Sequence, residues 1–184
     1  MRNNMKNLRE ALREELTNED FVCLFEIGKL KDVEPYDFIF NGKVKDKFVY
    51  TFETDEGTSY VVELINDIFM FDTLEENKSS LKIPDRVKNV EQSDFFILSF
   101  RTEEGDFGDF TNKGEVFRVF KTVADLAFEF MRERGIGVMF FAPERNDDEF
   151  EVPVSKRARV YQSFLQASNF QTGQIDEDFF YFIK

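Results

Sequence analysis

The stretches FFILSF at 95–100 and VMFFA at 138–142, with RTEEGDFGDFTNKG at 101–114 and EVFRVFKTVADLAFEFMRER at 115–134 between them, decide the fold. The first run is apolar at every position but Ser99, as a central strand covered from both sides requires. The second reads as a short buried strand. The 101–114 segment holds three glycines and four acids and reads as a loop. From 115 the period changes: Val116, Phe120, Val123, Ala127 and Phe130 recur at steps of three and four, with Phe117, Ala124 and Met131 widening the stripe. This predicts one long helix, its end marked by Arg132 and Arg134 against the helix dipole and by Gly135.

YDFIF at 36–40 and KFVYTFE at 47–53 alternate with period two, SYVVELI at 59–65 is a further strand-like run, and TDEGT at 54–58 supplies a hairpin turn at Gly57. FVCLFEI at 21–27 reads as a further strand, and the first half of the chain as an antiparallel meander. Leu8, Ala11, Leu12 and Leu16 predict a short amphipathic helix before it. Residues 73–94 are largely polar and read as a long surface loop. Beyond 142 come a charged loop, a helix with Ser155 as N-cap and Ala158, Tyr161, Phe164 and Leu165 inward, and the strand DFFYFIK. The reading is an α+β domain over 21–184, built on a mostly antiparallel sheet with one long packed helix, preceded by a helical segment at 1–20.

The chain has 184 residues, no histidine and no tryptophan. Ser-His-Asp and Cys-His nucleophilic sites, His-ligated metals and an imidazole pH switch are thereby excluded. Net charge is −13, from 24 basic and 37 acidic residues, which disfavours direct binding to nucleic acid or to anionic membranes. No apolar run reaches the roughly 18–20 residues of a membrane span, and the N-terminus lacks a signal peptide's apolar centre. The single cysteine, Cys23, sits in an apolar run and reads as core packing. The expectation is a cytoplasmic protein of open oligomeric state.

An antiparallel meander followed by strand, glycine-containing loop, long helix, strand, helix and strand resembles the GNAT acetyltransferase superfamily. The resemblance implies that Asn112-Lys113-Gly114-Glu115-Val116-Phe117 stands where the family grips the acetyl-CoA pyrophosphate at a helix N-terminus. It also implies that Tyr161, in Arg157-Ala158-Arg159-Val160-Tyr161, is the residue able to protonate the departing thiolate. Gly114 stands alone, and Glu115 puts an anion where phosphate would lie. The leading expectation is therefore a non-catalytic protein without a cofactor, with Lys113 and Gly114 as cofactor residues and Tyr161 as catalytic residue only in the acetyltransferase alternative. The stretch 115–165 is also similar to small proteins of tailed bacteriophages, which implies a phage-encoded accessory protein working in the host-cell cytoplasm.

Other candidate groups are simpler. The acids Glu144, Asp147, Asp148, Glu149 and Glu151 lack a cation-binding loop pattern, and no metal site is expected. Lys156, Arg157 and Arg159 form the densest cationic group, read first as pairing with the acidic loop before them, then as holding an anion or meeting a protein partner. Phe107, Phe110 and Phe150 lie in acidic loops without core periodicity, and Phe170 is grouped with them; exposed rings surrounded by charge suit an interface with a protein partner. A third reading takes the acidic surface as a mimic of nucleic acid that occupies a basic protein. On the interface reading, alanine at Phe107 and Phe110 should weaken a pull-down of the partner with little change in melting temperature. A large fall in melting temperature would place those rings in the core.

Overall fold

A computed structural model describes residues 33–103, 113–143, 156–177 and 179–184. The helix expected at 1–20, the strand at 21–27, Cys23, Phe107, Phe110, Phe150, the acidic loop 144–151 and the cap at Ser155 lie outside the described residues. Among the described residues seven strands form one sheet. They are β1 (Phe38–Val44), β2 (Lys47–Glu53), β3 (Ser59–Ile65), β4 (Ile97–Thr102), β5 (Val138–Phe141), β6 (Gln171–Gln174) and β7 (Phe180–Ile183), in the spatial order β1-β2-β3-β4-β5-β7-β6. Every neighbouring pair is antiparallel except β4 and β5, which run parallel. The helices that accompany them are α1 (Ile68–Asn77), α2 (Asp85–Lys88), α3 (Lys113–Arg134) and α4 (Lys156–Ala167). The α+β class is as the sequence predicts.

The meander follows from its turns. Lys45, at φ +55°, closes β1 onto β2, and Gly57, at φ +84°, closes β2 onto β3, where its N–H donates to the Thr54 carbonyl at 2.9 Å. A register shift between Phe40 and Gly42, with Gly42 at φ +112°, bulges the outer strand. At the far end of α3, Gly135 takes φ +69°. Its N–H donates to the Arg132 carbonyl, and the N–H of Ile136 donates to that of Met131, a Schellman arrangement that satisfies the last carbonyls.

Alternation along the central strands sorts two cores. Phe96, Leu98 and Phe100, with Met139, Phe141, Phe180 and Phe182, pack under α3 and α4. Phe95, Ile97, Val138, Phe140, Phe179, Tyr181 and Ile183 pack on the opposite face. That second face is where the sequence reading needs correction. Residues 73–94 are not a surface loop: α1 and α2 fall there with a 3-10 turn at Gln92–Asp94, and Leu74, Ile83 and Val87 are buried against the sheet. The apolar residues are too sparse to show a helical stripe, yet few are needed to cover a sheet face already rich in rings. Asp67 caps α1 by accepting from the Met70 N–H at 3.0 Å. Phe170 is likewise buried, its ring edge-on to Phe182 at 5.1 Å, and is no interface anchor.

The edge strand β6, polar and unforeseen in sequence, is held by β7 through a glycine. Gly173 pairs with Tyr181, and a Cβ at 173 would overlap the Tyr181 ring. Gly173→Ala should therefore destabilise the protein by about 1–3 kcal/mol in urea denaturation. An unchanged midpoint would mean that the ring is free to move aside.

Candidate functional site

The one parallel contact in the sheet is short. β4 and β5 pair only through Ile97 with Phe140 and Leu98 with Phe141, with the Phe140 N–H donating to the Phe96 carbonyl at 2.9 Å. β4 runs on to Thr102 and stays paired with β3 on its other side, whereas β5 ends at Phe141 and is followed by Ala142 and Pro143. Beyond Leu98 the two strands part. A parallel pair joined through a helix leaves such a crevice at the carboxyl ends of its strands, the place where open sheets bind ligands.

The gap opens into a cleft of about 150 Å³. Leu98, Ser99 and Phe100 line it from β4, Phe141, Ala142 and Pro143 from the end of β5, Phe120, Val123 and Ala124 from α3, and Tyr161, Phe164 and Leu165 from α4. Stacked rings fix its walls: Phe120 lies on Phe164 with centroids 4.2 Å apart and planes 5° from parallel. Tyr161 stands among three phenylalanines, 5.2 Å from Phe120, 5.3 Å from Phe100 and 6.3 Å from Phe141. The lining is apolar except for Ser99, the Tyr161 hydroxyl and the backbone. Aspartate, glutamate, lysine and arginine are all absent from these walls among the described residues, so the cleft suits an uncharged, narrow group.

Tyr161 is thus the residue predicted from sequence that the fold brings into the cleft. Lys113 and Gly114, read from the sequence as the end of the loop, are the first two residues of α3, which begins two residues earlier than the spacing predicts. Lys156 and Arg157 lie in the first turn of α4, and Arg159 is half-buried on the same helix. Their expected partner, the loop before α4, is outside the described residues. Among the described residues there is no cluster of acids and cysteine able to hold a metal ion, and no helix long and apolar enough to cross a membrane. Sequence reasoning located both strands of the cleft but missed Ser99, Phe120 and Ala124 as its walls. Their spacing is that of ordinary core positions, and only the gap beside them distinguishes them.

Comparison with protein-family models, with curated proteins and with solved structures finds no match for this chain.

The cleft makes Ala124, buried on its wall, a position with room beside it. Ala124→Leu should change stability by less than about 1 kcal/mol, because the added carbons enter the void, whereas overpacking a filled core typically costs about 1–3 kcal/mol. Thermal denaturation distinguishes the two.

Proposed function

We propose that the chain binds an acyl-CoA in the β4–β5 cleft, in the arrangement of the acetyltransferases its element order resembles. The observation that carries this reading is the parting of β4 from β5 over an apolar cleft that Tyr161 lines. On the side facing β5, the backbone from Ser99 to Thr102 has no strand partner among the described residues. An extended, amide-bearing arm can add there as a strand adds to a sheet edge. A volume of about 150 Å³ is that of an engineered cavity that takes benzene, so the cleft fits an acetyl or other short acyl end and not the nucleotide. The bound group would supply an acyl unit activated as a thioester. For its part the chain aligns the arm along β4, excludes water with the Phe120 and Phe164 rings, and holds a phenolic proton at Tyr161. On this reading the phosphates would meet the first amides of α3, at Lys113 and Gly114, with the Glu115 carboxylate next in the chain opposing that contact.

The cleft moves this reading ahead of the non-catalytic, protein-binding one. That second reading keeps its own support, since Ile68 and Phe69 at the start of α1 are 51% and 77% exposed on an acidic chain. Either activity belongs in the cytoplasm, and the phage-like stretch would place it in an infected host cell.

Isothermal calorimetry tests the leading reading. Acetyl-CoA should bind the native protein with micromolar affinity, about tenfold or more weaker after Ala124→Leu narrows the cleft. Tyr161→Phe should retain binding and lower any transfer to an amine by about 10²–10⁴-fold. Absence of heat and of any thermal shift with the native protein would remove the acyl-CoA reading and leave the protein-binding one in place.

A further inference from the structure

The C-terminal half of α3 closes a second cavity, of about 390 Å³, against β1 and β2, and it shares no lining residue with the β4–β5 cleft. Its walls are aromatic. Phe38 and Phe40 come from β1, Phe48 and Tyr50 from β2, and Phe130 from α3. Phe40 and Tyr50 lie 4.9 Å apart and tilted, Phe38 meets Tyr50 edge-on at 6.1 Å, and Phe48 meets Phe130 at 5.2 Å. Glu129 and Glu133, one helical turn apart, stand on the α3 side, exposed and without an ion-pair partner among the described residues.

Two cations of the chain already use this ring set. The Arg134 guanidinium lies 4.0 Å from the centroid of Phe48 and 5.1 Å from that of Phe130, and the Lys43 ammonium lies 5.3 Å from that of Phe48. Both cover the buried Phe48. The outer rings differ: Phe40 is 52% exposed, and no cation lies over Phe38, Phe40 or Tyr50 among the described residues. Arg134 lines the cavity together with Glu129 and Glu133, so two carboxylates stand against one guanidinium in its walls. Burial pushes the Tyr50 phenol above its ordinary range, Glu133 pushes it further against the opposing pull of Arg134, and Glu129 adds to the rise.

We propose that this cavity binds an organic ammonium ion, with the cation over the outer rings Phe40 and Tyr50 and the carboxylates of Glu129 and Glu133 beside it. Aromatic faces attract such a cation through their quadrupoles, and rings combined with acids are the composition of cages for quaternary ammonium and methyl-lysine. An N-methylated head suits the site best, because it is weakly hydrated and gives up little on leaving water. An anionic ligand would meet two carboxylates against the one guanidinium of Arg134, which already lies over Phe48, and a purely apolar ligand would leave those carboxylates without a partner among the described residues. The same chemistry can come from a free ammonium compound or from a methylated lysine on another protein.

An NMR titration of the full chain with tetramethylammonium chloride, matched against sodium chloride, tests the site. Saturable shifts of the Phe40 and Tyr50 ring signals are expected, seen with tetramethylammonium alone. Phe40→Ala should weaken the binding about threefold to tenfold, within the range for a partly exposed cation–π contact. Glu129→Gln with Glu133→Gln should weaken it in the same direction, a second measurement in case the ring variant loses its fold. Equal shifts with sodium chloride, or an affinity unmoved in folded variants of both kinds, would overturn the proposal. A short peptide bearing trimethyllysine separates the sources: tighter binding than tetramethylammonium assigns the site to a protein side chain, and equal or weaker binding to a free ammonium compound. Acetyl-CoA binding is measured independently, since the cavities share no walls.

Discussion

Burial of β4 on both faces is the constraint from which the rest of the structure follows. A run whose successive side chains, Phe95, Phe96, Ile97, Leu98 and then Phe100, are all buried cannot sit at the margin of a sheet or lie open to solvent on one side. It needs neighbours on both edges and cover on both faces. The antiparallel meander provides β3 on one edge, and the chain must travel through α3 to bring β5 alongside on the other. Because α3 carries the chain back across the sheet, β5 arrives parallel. One face is then covered by α3 and α4 and the other by the excursion through α1 and α2, so the helices have places to fill before their own propensities matter.

That arrangement also explains why the cleft lies where it does. Antiparallel neighbours joined by tight turns stay in register along their length, as β2 and β3 do over seven residues each. β4 and β5 have no such turn to hold them, and β5 is only four residues long. Its outer edge is fully engaged with β7, from Val138 opposite Ile183 to Phe141 opposite Phe180. β5 therefore follows the twist of the β7 side while β4 follows that of β3, and the sheet separates where the two halves meet. The rings of Phe120, Tyr161 and Phe164 brace one another along the gap, Phe120 lying against both of the others.

The legible part of the sequence is the part with a regular period. The meander, the buried strands at 95–100 and 138–142, the long α3 and its stop at Gly135 follow from spacing and from one left-handed glycine. What escapes is structure made by sheet context. Leu74, Ile83 and Val87 look like isolated apolar residues in a polar stretch until Phe95, Phe140 and Phe179 are seen to form a ready ring surface beneath them. β6 has no apolar alternation and exists because β7 presents an edge and Gly173 makes room for Tyr181. Phe170 reads as a loop residue because its neighbours are polar, yet it follows closely on α4 and turns into the core. In the site, Tyr161 could be reached through a resemblance of element order. The void beside Ala124 could not, because an empty volume leaves no mark on residue spacing.

The acidity and the wealth of phenylalanine are connected through the cations. The chain has twenty-five phenylalanines, and among the described residues several rings reach the rims of the two cores, where basic side chains cover them. Arg118 lies 3.8 Å from the centroid of the Tyr36 ring while also donating to the Glu34 carbonyl and pairing with Asp55. Arg134 covers Phe48, and the Lys184 ammonium sits 4.5 Å from the centroid of Phe128 and 4.4 Å from that of Phe170. A long basic side chain does this well because its stem packs on apolar surface while its charge stays wet. Carboxylates have no comparable affinity for the negative face of a ring. With only 24 basic residues against 37 acidic ones, the net charge stays negative wherever these cations sit. A cation can therefore join a ring wherever one is left uncovered beside carboxylates, because the ring face attracts it and the surrounding net charge does not oppose it.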